Sequence, residues 1–125
     1  MITVEISNRS GVAVDENGAG ALARSILAAE GIEDGELGLA FVDPEEMRAL
    51  KRDHLGIDEA TDVLSFPLDG FEALPAGVPR ALGDVVLCPQ VVGVDWQNPL
   101  VHGLLHLLGY DHGSEMESRE RGYLQ

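Results

Sequence analysis

Three of the four histidines in this chain fall within eleven consecutive residues, in the stretch VHGLLHLLGYDHG from Val101 to Gly113. His102 and His106 are four apart on a predicted helix, so both project from one face, roughly 6 Å apart along the axis. That is a spacing at which two imidazoles grip one metal ion. Gly109 then lets the chain reverse and brings His112 back from a loop as a third nitrogen donor. Three neutral ligands leave a tetrahedral zinc one open position for water, the arrangement of a catalytic site rather than a closed structural one. The only cysteine, Cys88, lies on a separate predicted strand, so a thiolate site is not expected. Three imidazoles would also accept nickel or copper in vitro. Without the third histidine beyond the glycine, the pair would read as ordinary polar residues of an amphipathic helix.

The same spacing, H-x3-H-x2-G-x2-H, occurs in metzincin peptidases, where a glutamate after the first histidine is the general base. Here that position is Gly103, which has no side chain to accept a proton. A metallopeptidase would need its base elsewhere.

The elements around this cluster are legible from periodicity and caps. Ile2 to Ile6 alternate and are rich in β-branched residues, predicting a strand. Asp15 is placed to cap a helix to about Ala29, with Ala21, Leu22, Ile26 and Leu27 as its apolar stripe and Gly31 beyond its end. Leu37 to Val42 reads as a strand buried on both faces. The run DPEE predicts a helix start, with Asp43 as cap, Pro44 in the first turn and Glu46 closing the box. That helix should reach about His54 and stop before Gly56. Val63 to Phe66 and Val85 to Cys88 predict two further strands, separated by a Gly-, Pro- and Ala-rich loop from Asp69 to Arg80. Asn98 as cap and Pro99 in the first turn open the histidine helix, which runs to about Leu108 with Gly109 past its end. SEMESRER predicts a last short helix. The order β-α-β-α-β-β-α predicts a single α/β (mixed α+β) domain over residues 1–125: a small mixed four-stranded sheet with packed helices and the three-histidine metal site at the end of a helix.

Composition narrows the function classes. The chain has 125 residues, 22 acids against 8 bases, and a net charge of −14. It is long enough to bury a core without disulfides. No apolar run approaches the roughly 20 residues needed to span a bilayer, so no membrane partner is expected. The N-terminal MITVEISNRSG lacks the pattern of a signal peptide. With Cys88 alone, the expected setting is reducing, hence cytoplasmic. The surface as a whole should repel phosphate backbones, so any nucleic-acid role must rest on a local patch or a metal.

Three separated motifs in order, TDVLSFP (Thr61–Pro67), LGDVVLC (Leu82–Cys88) and HGLLHLLGYDH (His102–His112), resemble the YbeY family of bacterial rRNA maturation factors. The resemblance runs from about Asp43 to Glu120. It implies an α/β fold and a zinc-dependent, single-strand-specific endoribonuclease. The implied roles are 3′-end maturation of small-subunit (16S) rRNA and ribosome quality control. Implied zinc ligands are His102, His106 and His112; implied partners are rRNA, the small ribosomal subunit and ribosomal or assembly proteins.

Two departures from that pattern stand out. Many members carry an arginine three residues before the aspartate that precedes TDVLSF, where this chain has Leu55 before Asp58. Lys51 and Arg52, one turn earlier, are candidate substitutes for RNA contact, the alternative being a solvated helix end that complements the dipole. The segment between Cys88 and Val101, PQVVGVDWQNPL, is shorter than in members of the family, and its Trp96 is expected to pack on the core. For the remaining chemistry, Asp111 is a candidate to orient an imidazole and Asp84 a candidate second-layer or basic group. Thr61 and Ser65 are candidate donors to phosphate. No general base can be assigned from sequence. Arg48, Lys51, Arg52, Arg119 and Arg121 lie in the flanking helices and would matter for RNA if they met on one face. A competing reading is a non-catalytic ribosome assembly factor with a structural zinc, which a fourth protein ligand would favour.

Overall fold

In the computed structural model the described residues are 2–58, 61–68, 80–93, 96–110 and 113–124. The elements run β1 (Ile2–Arg9), α1 (Glu16–Ala29), β2 (Gly35–Val42), α2 (Pro44–Leu55), β3 (Val63–Pro67), β4 (Ala81–Leu87), α3 (Pro89–Val92), α4 (Gln97–Leu107) and α5 (Ser114–Tyr123). One four-stranded sheet has the order β1-β2-β4-β3. β1, β2 and β4 are parallel, and β3 returns antiparallel to β4. The expected α/β architecture with a small mixed sheet is the one observed.

Two of the three helix starts read from capping chemistry are in place. Asp15 Oδ1 accepts from the Gly18 amide at 2.9 Å, and Asp43 Oδ1 accepts from the Glu46 amide at 2.7 Å. Each satisfies an amide that the first helical turn leaves without a partner. α2 ends at Gly56, which takes the left-handed conformation with φ 73°.

The two faces of the sheet carry different helices. One face, bearing Leu37, Leu39, Phe41, Val85 and Leu87, packs under Ala23, Ile26 and Leu27 of α1 and Leu100, Leu104 and Leu105 of α4. On the other, Val42, Leu64, Val86 and Cys88 pack on Met47 of α2. α2 covers only part of that second face, so Ala40 is half-buried and Glu36 is exposed. β2 is therefore not buried on both faces along its length. The α1 stripe also differs from expectation. Ala19 and Ala23 are buried while Ala21 is exposed, because packing is set by the face toward β1 and α4.

Several boundaries differ from those read from sequence, and β1 runs on to Arg9 in parallel pairing with β2. β4 begins at Ala81, because pairing with β2 continues past Val85 to the bulge at Glu36 and Leu37. α4 begins at Gln97 with Trp96 in the cap position, so Asn98 is not its cap. Pro99 sits within the first turn, where its missing amide costs no helical bond. α5 spans ten residues, longer than expected, anchored by Met116 at 1% exposure. The four-residue α3 was not anticipated. Most of the predicted loop from Asp69 to Arg80 lies outside the described residues.

Candidate metal centre

α4 approaches the sheet closely at Gly103. A Cβ there would lie 2.8 Å from Val63 Cγ2 and 3.0 Å from Val85 Cγ1. The Ser65 hydroxyl also donates to the Gly103 carbonyl at 2.7 Å. With this side of the helix pressed on β3 and β4, His102 and His106 are turned toward a cleft of about 640 Å³. Their rings meet edge to face, with centroids 4.5 Å apart, and their Nε2 atoms are 3.1 Å apart.

The outer nitrogen of each ring decides what the inner one can do. His106 Nδ1 lies 3.0 Å from the Tyr110 carbonyl oxygen, which can only accept, so Nδ1 carries the proton. His102 Nδ1 lies 2.7 Å from Glu120 Oε1, and an ionised carboxylate again requires Nδ1 to donate. In two neutral imidazoles both Nε2 atoms then present lone pairs, aimed at the same space. Two such lone pairs repel unless a cation lies between them. Ligands on one tetrahedral zinc, with Zn–N of about 2.0–2.1 Å, are about 3.3 Å apart, close to the separation here. The donor pair therefore fits a metal, and both rings have the outer hydrogen bond that metal-binding histidines characteristically make.

The turn after α4 supplies one of those outer bonds. Gly109 has φ 99°, its amide donates to the His106 carbonyl, and the Tyr110 amide donates to the Leu105 carbonyl, each at 3.0 Å. This Schellman arrangement folds Tyr110 back over the helix end, where its carbonyl reaches His106. Glu120, by contrast, was not singled out in the sequence. A signal was present: in SEMESRER the one strongly apolar residue is Met116, and Glu120 lies four further on, placing an acid on the buried face of α5.

His112 and Asp111 lie outside the described residues. Among the described residues no group of three His, Cys, Asp or Glu side chains could hold a metal. Cys88 is buried in the α2 cluster, and burial pushes its thiol up, so it is no ligand here.

Other candidates are placed as follows. Asp84 is a correction: it lines a separate cleft with Glu5, Arg9, His54 and Phe66. Its neighbour Val85 faces α4, and alternation along β4 turns Asp84 to the opposite side of the sheet. Thr61 and Ser65 do line the histidine cleft, but the Ser65 hydroxyl proton is committed to Gly103, and Thr61 Oγ1 donates to Asp62 Oδ1 at 3.4 Å. Among the described residues lining the cleft there is no Lys or Arg, and Leu55, 57% exposed, stands at its rim. Arg52 pairs with Asp53 at 3.3 Å, Arg48 with Asp58 at 3.1 Å and Arg119 with Glu30 at 2.6 Å. These arginines are thus each neutralised separately rather than gathered toward the cleft, and Lys51 does not line it either. Trp96 packs partly buried against the core, as expected.

A sequence profile described as Endoribonuclease YbeY matches residues 5–125. The chain belongs to the YbeY family. It is 43% identical over 143 residues to the Endoribonuclease YbeY of Acidothermus cellulolyticus, covering 99% of this chain and 87% of that one. With the Salinispora tropica protein of the same name it shares 39% over 144 residues, covering 99% and 92%. Both alignments are longer than this 125-residue chain, so they open gaps in it. The solution structure of TM1509 from Thermotoga maritima superposes with a TM-score of 0.60 at 24% identity, covering 99% of this chain and 87% of that one, which supports the fold. YbeY relatives are endoribonucleases by name, and this chain is accordingly an RNA-cleaving hydrolase. Among the described residues no helix is long and apolar enough to cross a membrane.

Proposed function

We propose that this chain is a zinc-dependent, single-strand-specific endoribonuclease that matures the 3′ end of small-subunit rRNA and acts in ribosome quality control in the cytoplasm. His102, His106 and His112 hold the metal. The observation that carries the reading is the pair of Nε2 atoms 3.1 Å apart, each ring hydrogen-bonded through Nδ1 on its far side. A bound zinc supplies Lewis acidity, acidifying a water and drawing charge from a phosphoryl oxygen.

The chain's own residues do the rest. Glu120 and the Tyr110 carbonyl keep both rings in the tautomer that leaves Nε2 free of a proton. The cleft beside the histidines, lined by Val63, Pro99 and Leu55 among others, receives the single strand. With no Lys or Arg among the described lining residues, phosphate affinity is weak, and the small subunit or an assembly protein presents the RNA. A peptidase role lacks its base, since Gly103 faces the sheet and no side chain fits there.

The test is cleavage of an end-labelled single-stranded RNA, and of precursor rRNA within the small subunit, by the wild type and His106→Ala. Loss of both activities in the variant is expected. Equal cutting by both preparations would refute the assignment of the chemistry to these histidines.

A further inference from the structure

Glu30 sits where local rules disfavour an acid, at the C-terminal cap of α1 beside the negative end of the helix dipole. Its side chain is only 5% exposed. Three donors from the other end of the sequence converge on it. The Tyr110 hydroxyl donates to Oε1 at 2.7 Å, Arg119 Nη1 donates to Oε2 at 2.6 Å, and the Tyr123 hydroxyl donates to Oε2. The Arg119 guanidinium also lies over the Tyr110 ring, 5.1 Å from its centroid. Burial alone would raise the Glu30 carboxyl, but the two tyrosines and Arg119 outweigh it and hold the group below the usual carboxylate range. None of these four side chains belongs to the histidine cleft, yet two of them are continuous with what orients the histidines.

We propose that Glu30 is a positioning residue for the metal centre, holding the Tyr110 carbonyl against His106 and the Glu120 carboxylate against His102. Tyr110 is gripped at both ends: its hydroxyl on Glu30, its carbonyl on His106 Nδ1. α5 has a single buried apolar residue, Met116, which leaves rotation of a mostly polar helix weakly determined. Arg119 and Tyr123, one turn apart on one face, dock α5 on Glu30 and thereby set the direction of Glu120, the next residue round the helix. One buried carboxylate thus orders both outer hydrogen bonds of the pair. The inference rests on the metal reading above only for its functional consequence.

The experiment uses metal-free protein and reads the imidazole tautomers by nitrogen-15 NMR, then measures zinc affinity by competition with a chromophoric chelator. Wild type, Glu30→Gln and Tyr110→Phe are compared, with His54 as the internal reference ring. In wild type, His106 and His102 are expected in the Nδ1–H form. In Glu30→Gln both should become tautomer mixtures while His54 is unchanged, and zinc affinity should fall about 10-fold or more. Tyr110→Phe, which deletes one hydroxyl and keeps the ring, should affect His106 more than His102. It also serves if Glu30→Gln does not fold. Unchanged tautomers with only a lower melting temperature would overturn the proposal, leaving Glu30 a structural clamp. If wild type binds no zinc, the metal reading fails, and the tautomer comparison still decides the positioning role.

Discussion

Replacing Gly103 by alanine sets two opposing effects against each other. In a helix interior the change favours folding by about 1 kcal/mol, because glycine has more backbone freedom to lose. Against this, the added Cβ would stand 2.8 Å from Val63 Cγ2, 3.0 Å from Val85 Cγ1 and 3.3 Å from Ser65 Oγ. Ordinary carbon contacts are about 3.5–4.0 Å, so the deficit at the two valines is roughly half an ångström or more. Both valines are β-branched and stiff at χ1, and Val85 is fully buried. Relief must therefore come from lifting α4 off the sheet, which also stretches the 2.7 Å Ser65–Gly103 bond. Overpacking of this kind costs about 1–3 kcal/mol. With the propensity gain subtracted, Gly103→Ala should lose about 1 kcal/mol, lowering the melting temperature by several degrees. Urea unfolding with a shared m-value reads the difference. Because His102 and His106 ride on the lifted helix while Glu120 does not, the 2.7 Å His102–Glu120 bond should lengthen and cleavage should slow. A variant as stable as the wild type, or more so, would refute the claim that a glycine-sized gap seats this helix.

Glu120→Gln keeps an acceptor near His102 Nδ1 but removes the charge. Zinc affinity, measured by chelator competition, should fall about 10–100-fold. Leu55→Arg places a cation at the exposed cleft rim, where a surface change costs at most about 0.5 kcal/mol of stability. Binding of a fluorescent single-stranded RNA should tighten, with a salt slope steeper by about 0.7, and an unchanged slope would show that the rim does not meet phosphate. The Glu30 clamp should give stability a pH dependence with two limbs. Glu30 is lower folded than unfolded, so its contribution is full above the unfolded value of about 4.3 and is lost as pH falls through the folded value. Tyr110 is pushed up to about 12, first by its hydrogen bond to Glu30 and then by burial. Its contribution is full below the unfolded value of about 10 and is lost as pH rises through the folded value. Urea midpoints measured against pH should show both limbs, and Tyr110→Phe should diminish the alkaline one.

Much of the scaffold was legible because it rests on local chemistry. Asp15 and Asp43 cap helices by reaching amides three residues on, and Gly56 and Gly109 end helices because they tolerate positive φ, so neighbouring residues suffice to predict them. Asn98 misled for a related reason. It is a good cap residue in isolation, but the helix begins one residue earlier, at Gln97, where packing around Trp96 stabilises the start. Asp84 misled more seriously. Its place after a glycine at a strand start suggested the site, whereas strand alternation, unreadable until the register of β4 against β2 is known, puts it behind the sheet.

The histidine pair was determined by sequence alone, since a separation of four on a helix puts two rings on one face whatever surrounds them. What those rings can do was decided only by tertiary structure. The carboxylate on His102 comes from eighteen residues further along the chain, and the clamp behind Tyr110 joins Glu30 to a residue eighty positions away. No periodicity connects such positions. They meet because α1, α4 and α5 pack on one another beside the same face of one sheet, and long-range packing sets which side chain a buried polar atom finds.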